Sequence, residues 1–199
     1  MLRKLLSTVA LLACSVFTAH AAPTITLTPS STTLAVGELF TLAINIQGAD
    51  DLFGWELDVM FLPAGIVQAT AQAAGGFLGF GQTYVNGLVN NGQGTITDAA
   101  SAMSGTTGVT GAGILASIIF EAMVGGTATI SVANVTLLDS NLYDILFDIG
   151  DAFSATVNVT GPGDPGDPVP EPSVLALAGL ALALAIRSSR QRGRASSRV

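Results

Sequence analysis

Trp55-Glu56-Leu57-Asp58-Val59-Met60-Phe61 is the stretch that decides the fold class. Trp55, Leu57, Val59 and Phe61 fall on one side of an extended chain, with Glu56, Asp58 and Met60 on the other. Successive side chains of a strand point to opposite faces, so strict alternation with one apolar face reads as a half-buried antiparallel strand.

Outward from it the same period recurs. Leu42, Ile44 and Ile46 alternate with Thr41, Ala43 and Asn45. Ala116, Ile118, Phe120, Ala122 and Val124 share one parity, as do Ala128, Ile130 and Val132, and Phe153, Ala155, Val157 and Val159. Shorter candidates are Ile25–Thr28, Thr33–Val36, Ile66–Thr70, Thr95–Asp98 and Thr136–Leu138. Gly37, Gly48, Gly54, Gly75-Gly76, Asn90-Asn91-Gly92, Gly111, Gly113, Gly125-Gly126 and Gly150 supply turn or bulge residues between them. No segment has a capped 3.6-residue period. The expectation is an all-β, antiparallel two-sheet sandwich over residues 22–160, with Trp55, the only tryptophan, packed between the sheets. Residues 75–113, dominated by Gly, Ala, Ser and Thr around Phe77, Phe80 and Tyr84, read either as long surface loops or as short twisted strands.

Charge placement bounds the chemistry. All seven basic residues lie at the termini (Arg3, Lys4, Arg187, Arg190, Arg192, Arg194 and Arg198), and all 14 acidic residues lie between Glu38 and Glu171. Residues 22–172 therefore carry a formal charge of −14 and no Lys, Arg, His or Cys. Nucleic-acid binding, which needs cations to displace phosphate counterions, is excluded for this segment. Salt bridges within it are excluded too, and mutual repulsion should make the fold more stable at higher ionic strength. The only cysteine, Cys14, precedes the segment, so its core must hold without a disulfide.

Residues 1–21 read as a signal peptide: Arg3 and Lys4, an apolar stretch from Leu5 to Ala19, then Ala19-His20-Ala21 in the small-x-small pattern of signal-peptidase cleavage. Leu11-Leu12-Ala13-Cys14 resembles a lipobox, but apolar sequence continues past Cys14, which favours cleavage after Ala21. At the other end, residues 161–168 (Gly-Pro-Gly-Asp-Pro-Gly-Asp-Pro) are a linker that can continue neither strand nor helix. Val169-Pro170-Glu171-Pro172-Ser173 follows, then an uncharged apolar run, 174–186, against Arg187, Arg190, Arg192 and Arg194. As a helix this run spans about 20 Å against about 30 Å of hydrocarbon, so it is a weak stop-transfer segment. Its arginines should stay cytoplasmic, leaving the domain outside.

Pro170-Glu171-Pro172, a short apolar helix and a terminal arginine cluster, in that order over residues 169–199, resemble the PEP-CTERM sorting signal. That resemblance implies a Gram-negative bacterium with an extracellular polysaccharide matrix. It also implies processing by exosortase, for which Pro170, Glu171 and Pro172 would be substrate residues. The expected path is export, an inner-membrane intermediate held by the C-terminal helix, then the cell surface or extracellular matrix.

The middle domain resembles a cohesin. Val36-Gly37-Glu38 leads into an alternating strand; Leu52-Phe53-Gly54 opens the acidic run to Phe61; Gly113 to Ala122 looks like the family's later core strand; Thr136-Leu137-Leu138-Asp139 and Ala155-Thr156-Val157-Asn158-Val159 fit its last elements. The resemblance implies a nine-stranded jelly-roll sandwich, related to carbohydrate-binding modules, that docks dockerin modules. The chain has no dockerin, and its sorting signal points to a matrix-forming cell, which separates the fold from that partner.

The remaining chemistry is carboxylate chemistry. With no His, Lys, Arg or Cys there is no ordinary base for a serine nucleophile and no His/Cys zinc site. Glu56 and Asp58 share one strand face, where a glycosidase pair is conceivable and a solvated face is favoured. Asp139, Asn141 and Asp144 offer the oxygen ligands calcium prefers, but their spacing is not that of an EF-hand, and an acidic loop is the favoured reading. The expected function is a non-enzymatic, exported adhesion or scaffolding protein that binds a matrix protein or extracellular polysaccharide. The alternative is a carbohydrate-binding module in polysaccharide breakdown or uptake, which requires an exposed aromatic platform.

Overall fold

The computed structural model describes residues 21–148 and 153–161. The linker beyond Gly161, the sorting motif, the 174–186 run, the arginine cluster and residues 1–20 of the signal peptide lie outside the described residues.

Ten strands follow in order: β1 Thr24–Pro29, β2 Thr33–Ala35, β3 Leu39–Leu62, β4 Val67–Ala74, β5 Gln82–Val85, β6 Leu88–Asn90, β7 Thr95–Met103, β8 Val109–Ala122, β9 Gly126–Asp139 and β10 Ser154–Thr160. No helix occurs among the described residues. The long β3 belongs to both layers of the sandwich. Its first half lies between β1 and β8, with β4 beyond β8. Its second half lies between β9 and β7, with β10 and β2 beyond β9 and β5 and β6 along the far edge of β7.

The two strands expected around Leu42–Ile46 and Trp55–Phe61 are thus one strand of 24 residues. Its buried side changes parity on the way: Phe40, Leu42, Ile44 and Ile46 are buried, then Ala49, Leu52, Trp55, Leu57, Val59 and Phe61. The change is made by shifts of register against β8 and β9 between Ile44 and Gly54, near Gly48 (φ 68°) and Asp51 (φ 54°). Each extra residue in a bulge bends the strand and returns the apolar side to the core. The candidates Ala128–Val132 and Thr136–Leu138 merge into β9 in the same way, across Asn134 (φ 48°). Val124 departs from its expected inward parity; it follows the end of β8 and is 58% exposed. Pairing is antiparallel except between β10 and β2, which run parallel. Residues 75–113 turn out to hold β5, β6, β7 and the start of β8.

One core fills the space between the layers. Phe120 stacks on Phe40 at 5.3 Å and meets Phe61 edge-on, also at 5.3 Å. Such pairs add about 0.5–1.5 kcal/mol beyond simple burial. Among the described residues the core runs from Ile25 to Val159.

Along one side the layers are stitched by side-chain amides. Gln72 of β4 donates from Nε2 to the Gly87 carbonyl (2.9 Å) and accepts the Gly87 N–H at Oε1 (3.0 Å). Asn91 repeats the pattern on Ala69, accepting its N–H (2.9 Å) and donating to its carbonyl (3.1 Å). Each primary amide imitates a strand and satisfies both polar groups of one backbone residue. Gly87 admits no side chain, since a Cβ there would lie 2.5 Å from Ile96 Cγ2 and 2.8 Å from the Thr97 carbonyl oxygen.

Candidate protein-docking face

The outer face of the β9-β3-β7-β5 layer carries the residues that alternate away from the core. On β3 these include Gly54, Glu56 and Asp58; on β7, Ala100 and Ala102; on β5, Thr83 and Val85; on β9, Thr136 and Leu138. With Trp55 and Ser101 beneath, all but Asp58 line a shallow depression of about 270 Å³. Its floor is made of small residues because Gly54 and Ala102 face each other across β3 and β7 in register.

Asp58 stands beside the depression and is engaged twice. Its Oδ1 accepts the Asp98 N–H at 2.9 Å, and its Oδ2 accepts the Asn134 side-chain amide at 2.6 Å. Asp98 (φ 59°) and Asn134 (φ 48°) are left-handed residues on the strands flanking β3. Asp and Asn tolerate that conformation better than other L-residues. One carboxylate therefore pins an irregularity on each neighbouring strand, which re-aims the outer side chains around it. Glu56, two residues earlier on the same face, is exposed and has no hydrogen-bond partner among the described residues. The two carboxylates share a face as expected, and Asp58 is held by the two strands that flank β3.

Under the depression Trp55 is 3% exposed, with its ring 6.0 Å from that of Tyr84. Trp55 Nε1 and Tyr84 Oη are buried without a hydrogen-bond partner among the described residues. Burial pushes the Tyr84 phenol above its ordinary value. Ser101, the buried polar residue of this region, donates from Oγ to Thr83 O (3.2 Å) and Gln82 Oε1 (3.3 Å) and so ties β5 to β7.

The acidic turns gather at one end of the layers. Asp51 accepts the Ser140 hydroxyl at 2.6 Å, the Gly108 N–H at 2.7 Å and the Ser140 N–H at 3.3 Å. The Ser140 hydroxyl bond, then the Gly108 amide, lowers the Asp51 pKa below the usual carboxylate value. Asp139 Oδ1 accepts the Asn141 and Tyr143 N–H groups, both at 2.8 Å, and so caps its own loop. Asp144 bridges Leu138 through the backbone. Among the described residues no three His, Cys, Asp or Glu side chains converge on a metal position.

With this geometry in view, the likenesses to known proteins are informative. Residues 168–191 match the PEP-CTERM protein-sorting motif. No curated protein sequence matches the chain. Solved structures do: a non-cellulosomal cohesin from Archaeoglobus fulgidus has 13% identity and TM-score 0.56, covering 70% of this chain and 92% of that one. A type II cohesin domain from the cellulosome of Acetivibrio cellulolyticus has 21% identity and TM-score 0.56, over 69% and 95%. A third, the type I cohesin–dockerin complex Coh-OlpC-Doc435 of Clostridium thermocellum, has 10% identity and TM-score 0.56, over 74% and 99%. The chain carries a PEP-CTERM sorting motif and a cohesin-like β-sandwich. The cohesin-like sandwich was legible in the sequence. Asn134, Asp98, Ala100 and Ser101 were not singled out there. Only the Asp/Asn identity of the first two, inside runs that break period two, signalled them.

Proposed function

We propose that this is an exported, non-catalytic protein-binding module, processed by exosortase at Pro170-Glu171-Pro172 and delivered to the surface or extracellular matrix of a Gram-negative bacterium. The docking surface is the outer face of β9-β3-β7-β5. The observation that carries the reading is the depression itself. It offers small apolar side chains around the unpartnered Glu56, on a segment without a single cation. A partner would place small apolar side chains in the hollow and a Lys or Arg on Glu56, the arrangement of an apolar centre with a charged rim. The cohesin–dockerin complexes among the structural relatives support a protein partner, of a kind that the fold alone leaves open. Against the carbohydrate-binding alternative, Trp55 is inside the core and the exposed aromatics Phe80 and Tyr143 are scattered over separate turns.

Two measurements test the reading. Intact mass and fractionation of the protein from its host, with and without exosortase, should give a species bounded near Ala22 and Pro170–Pro172 outside the cells only when exosortase acts. An unprocessed chain in the inner membrane in both strains would refute the sorting route. Ala100→Arg, which fills the hollow, should lower the amount of processed protein retained by the washed matrix several-fold. Equal retention of variant and wild type would refute the docking face.

A further inference from the structure

Two Asn-Gly pairs, Asn86-Gly87 and Asn91-Gly92, stand beside the two amide clasps that stitch the layers. Asparagine followed by glycine is a thermolabile unit, because a glycine nitrogen crowded by no side chain can attack the asparagine side-chain amide. The clasps hold opposite halves of that reaction. At the first pair the attacking nitrogen is held: Gly87 is buried and its N–H is given to Gln72 Oε1 at 3.0 Å, while the exposed Asn86 side chain has no partner among the described residues. At the second pair the attacked amide is held: half-buried Asn91 bonds Ala69 at 2.9 and 3.1 Å, while Gly92 is exposed and its N–H has no partner among the described residues.

The fold does not require a glycine at position 92. The Gln93 N–H donates to the Asn90 carbonyl at 3.2 Å to close the turn, and Gly94 (φ 69°) takes its left-handed position. Gly92 has an ordinary φ, and a Cβ on it would meet only Asn90 Oδ1, at an unstrained 3.5 Å. We propose that Asn91 is a self-modification site, converted to aspartate and isoaspartate through its own Gly92 nitrogen, and that the conversion unstitches one side of the sandwich. The Gly92 nitrogen gives its proton to a solvent base and bonds to Asn91 Cγ. The Cγ–Nδ2 bond breaks, and Nδ2 takes up a proton and leaves as ammonia, closing a succinimide. Water then opens the ring at either carbonyl, leaving a carboxylate on the normal chain or on a chain lengthened by one carbon. Asn91 reacts before Asn86 because its amide is freed by side-chain rotation alone. Freeing the Gly87 nitrogen means moving backbone packed against Ile96 and Thr97.

The product cannot remake the clasp. A carboxylate at 91 still accepts the Ala69 N–H but has no donor for the Ala69 carbonyl. It is also the first charge in residues 59–97, which contain no Asp, Glu, Lys, Arg or His. The clasp ties the β6–β7 turn to β4, which pairs with β8 in the other layer, so its loss releases β4 on that side.

Incubation of the purified protein in mildly alkaline buffer tests this, with peptic peptides made at acid pH and mapped by mass spectrometry. Folded wild type should convert at Asn91 before Asn86, roughly tenfold or more slowly than the same chain in guanidinium chloride, because both bonds of the clasp must open. Gly92→Ala should slow conversion at Asn91 about tenfold or more by crowding the attacking nitrogen. Gln72→Ala, which frees the Gly87 N–H, should bring out conversion at Asn86. Asn91→Asp should melt below wild type by circular dichroism and exchange the Ala69 amide hydrogen faster. Intact Asn91 in folded wild type after about a hundred half-lives of the unfolded sample overturns the proposal. So does conversion of Asn86 first, or a Gly92→Ala that converts as fast as wild type. An Asn91→Asp with unchanged melting and unchanged Ala69 exchange overturns the unstitching.

Discussion

Asp58 and Asn134 are joined across two strands by a 2.6 Å hydrogen bond, with the Asn134 amide donating to Oδ2. Asp58 also holds the Asp98 N–H, so removing its carboxylate releases an irregularity on each side of β3 at once. Asp58→Ala should destabilise the domain by about 1–2 kcal/mol, toward the low end for two bonds to a charged group because both are exposed. Asp58→Asn should recover part of that through its remaining carbonyl oxygen. Urea unfolding followed by tryptophan fluorescence measures both, and an Asp58→Ala midpoint equal to wild type would exclude the clamp.

The Gln72–Gly87 clasp predicts an ordered series. Gln72→Ala should cost about 1–2 kcal/mol, because two backbone groups lose their partner. Gln72→Glu keeps an acceptor for the Gly87 N–H but sets a carboxylate against the Gly87 carbonyl, and should be no better. Gly87→Ala should cost more than either, since its Cβ would press on the Ile96 side chain and the Thr97 carbonyl. Denaturant midpoints in the order wild type, Gln72→Ala, Gly87→Ala are expected; a neutral Gly87→Ala would contradict the packing at that edge.

Asp51 makes the acidic end of the molecule pH-sensitive. Its folded pKa lies below its ordinary value of 3.8, so its contribution is present above that pH and is lost as pH falls through the lower folded value. Protonating the other carboxylates relieves repulsion and acts in the opposite sense, so the comparison must be differential. Thermal melts of wild type and Asp51→Asn should differ most near neutral pH and converge below pH 3.8. A constant difference down to the lowest pH would place the effect elsewhere.

Tyr84 acts at the alkaline end. Its raised pKa means that the folded state keeps the phenol protonated above pH 10.0, so stability present below that value is lost as pH rises through the folded value. Tyr84→Phe should abolish this alkaline loss. Near neutral pH it should be neutral or slightly stabilising, because the hydroxyl it removes is buried without a partner among the described residues. A clearly destabilised Tyr84→Phe at neutral pH would reveal a bonded hydroxyl.

Period-two alternation made the all-β class and most strands readable. The parity of Trp55 to Phe61 and of Ala128 to Val132 is the one that the core uses. It failed where strands are longer than their patterns. β3 and β9 each change buried parity at a bulge, so each read as two strands. Val124 continued the parity of β8 in sequence but lies past its end. β5 and β6 were ambiguous because both are short and uncharged: β6 is exposed throughout, and β5 turns inward only the half-buried Gln82 and Tyr84. The proposed docking face was hidden for a related reason. Gly54, Ala100 and Ala102 matter by being small and adjacent across two strands, and adjacency across strands follows from register. The sorting motif needed no fold at all, because its order and terminal position are a property of the sequence itself.

β10 leads directly into Gly161, where the described fold ends. It lies antiparallel to β9 on one side and parallel to β2 on the other. A pull from the C-terminal side therefore acts along the axis of β10 and loads both ladders in shear, many bonds together instead of one after another. If the module is tethered at that end while a partner holds its face, tension passes through the direction in which the strand is hardest to extract.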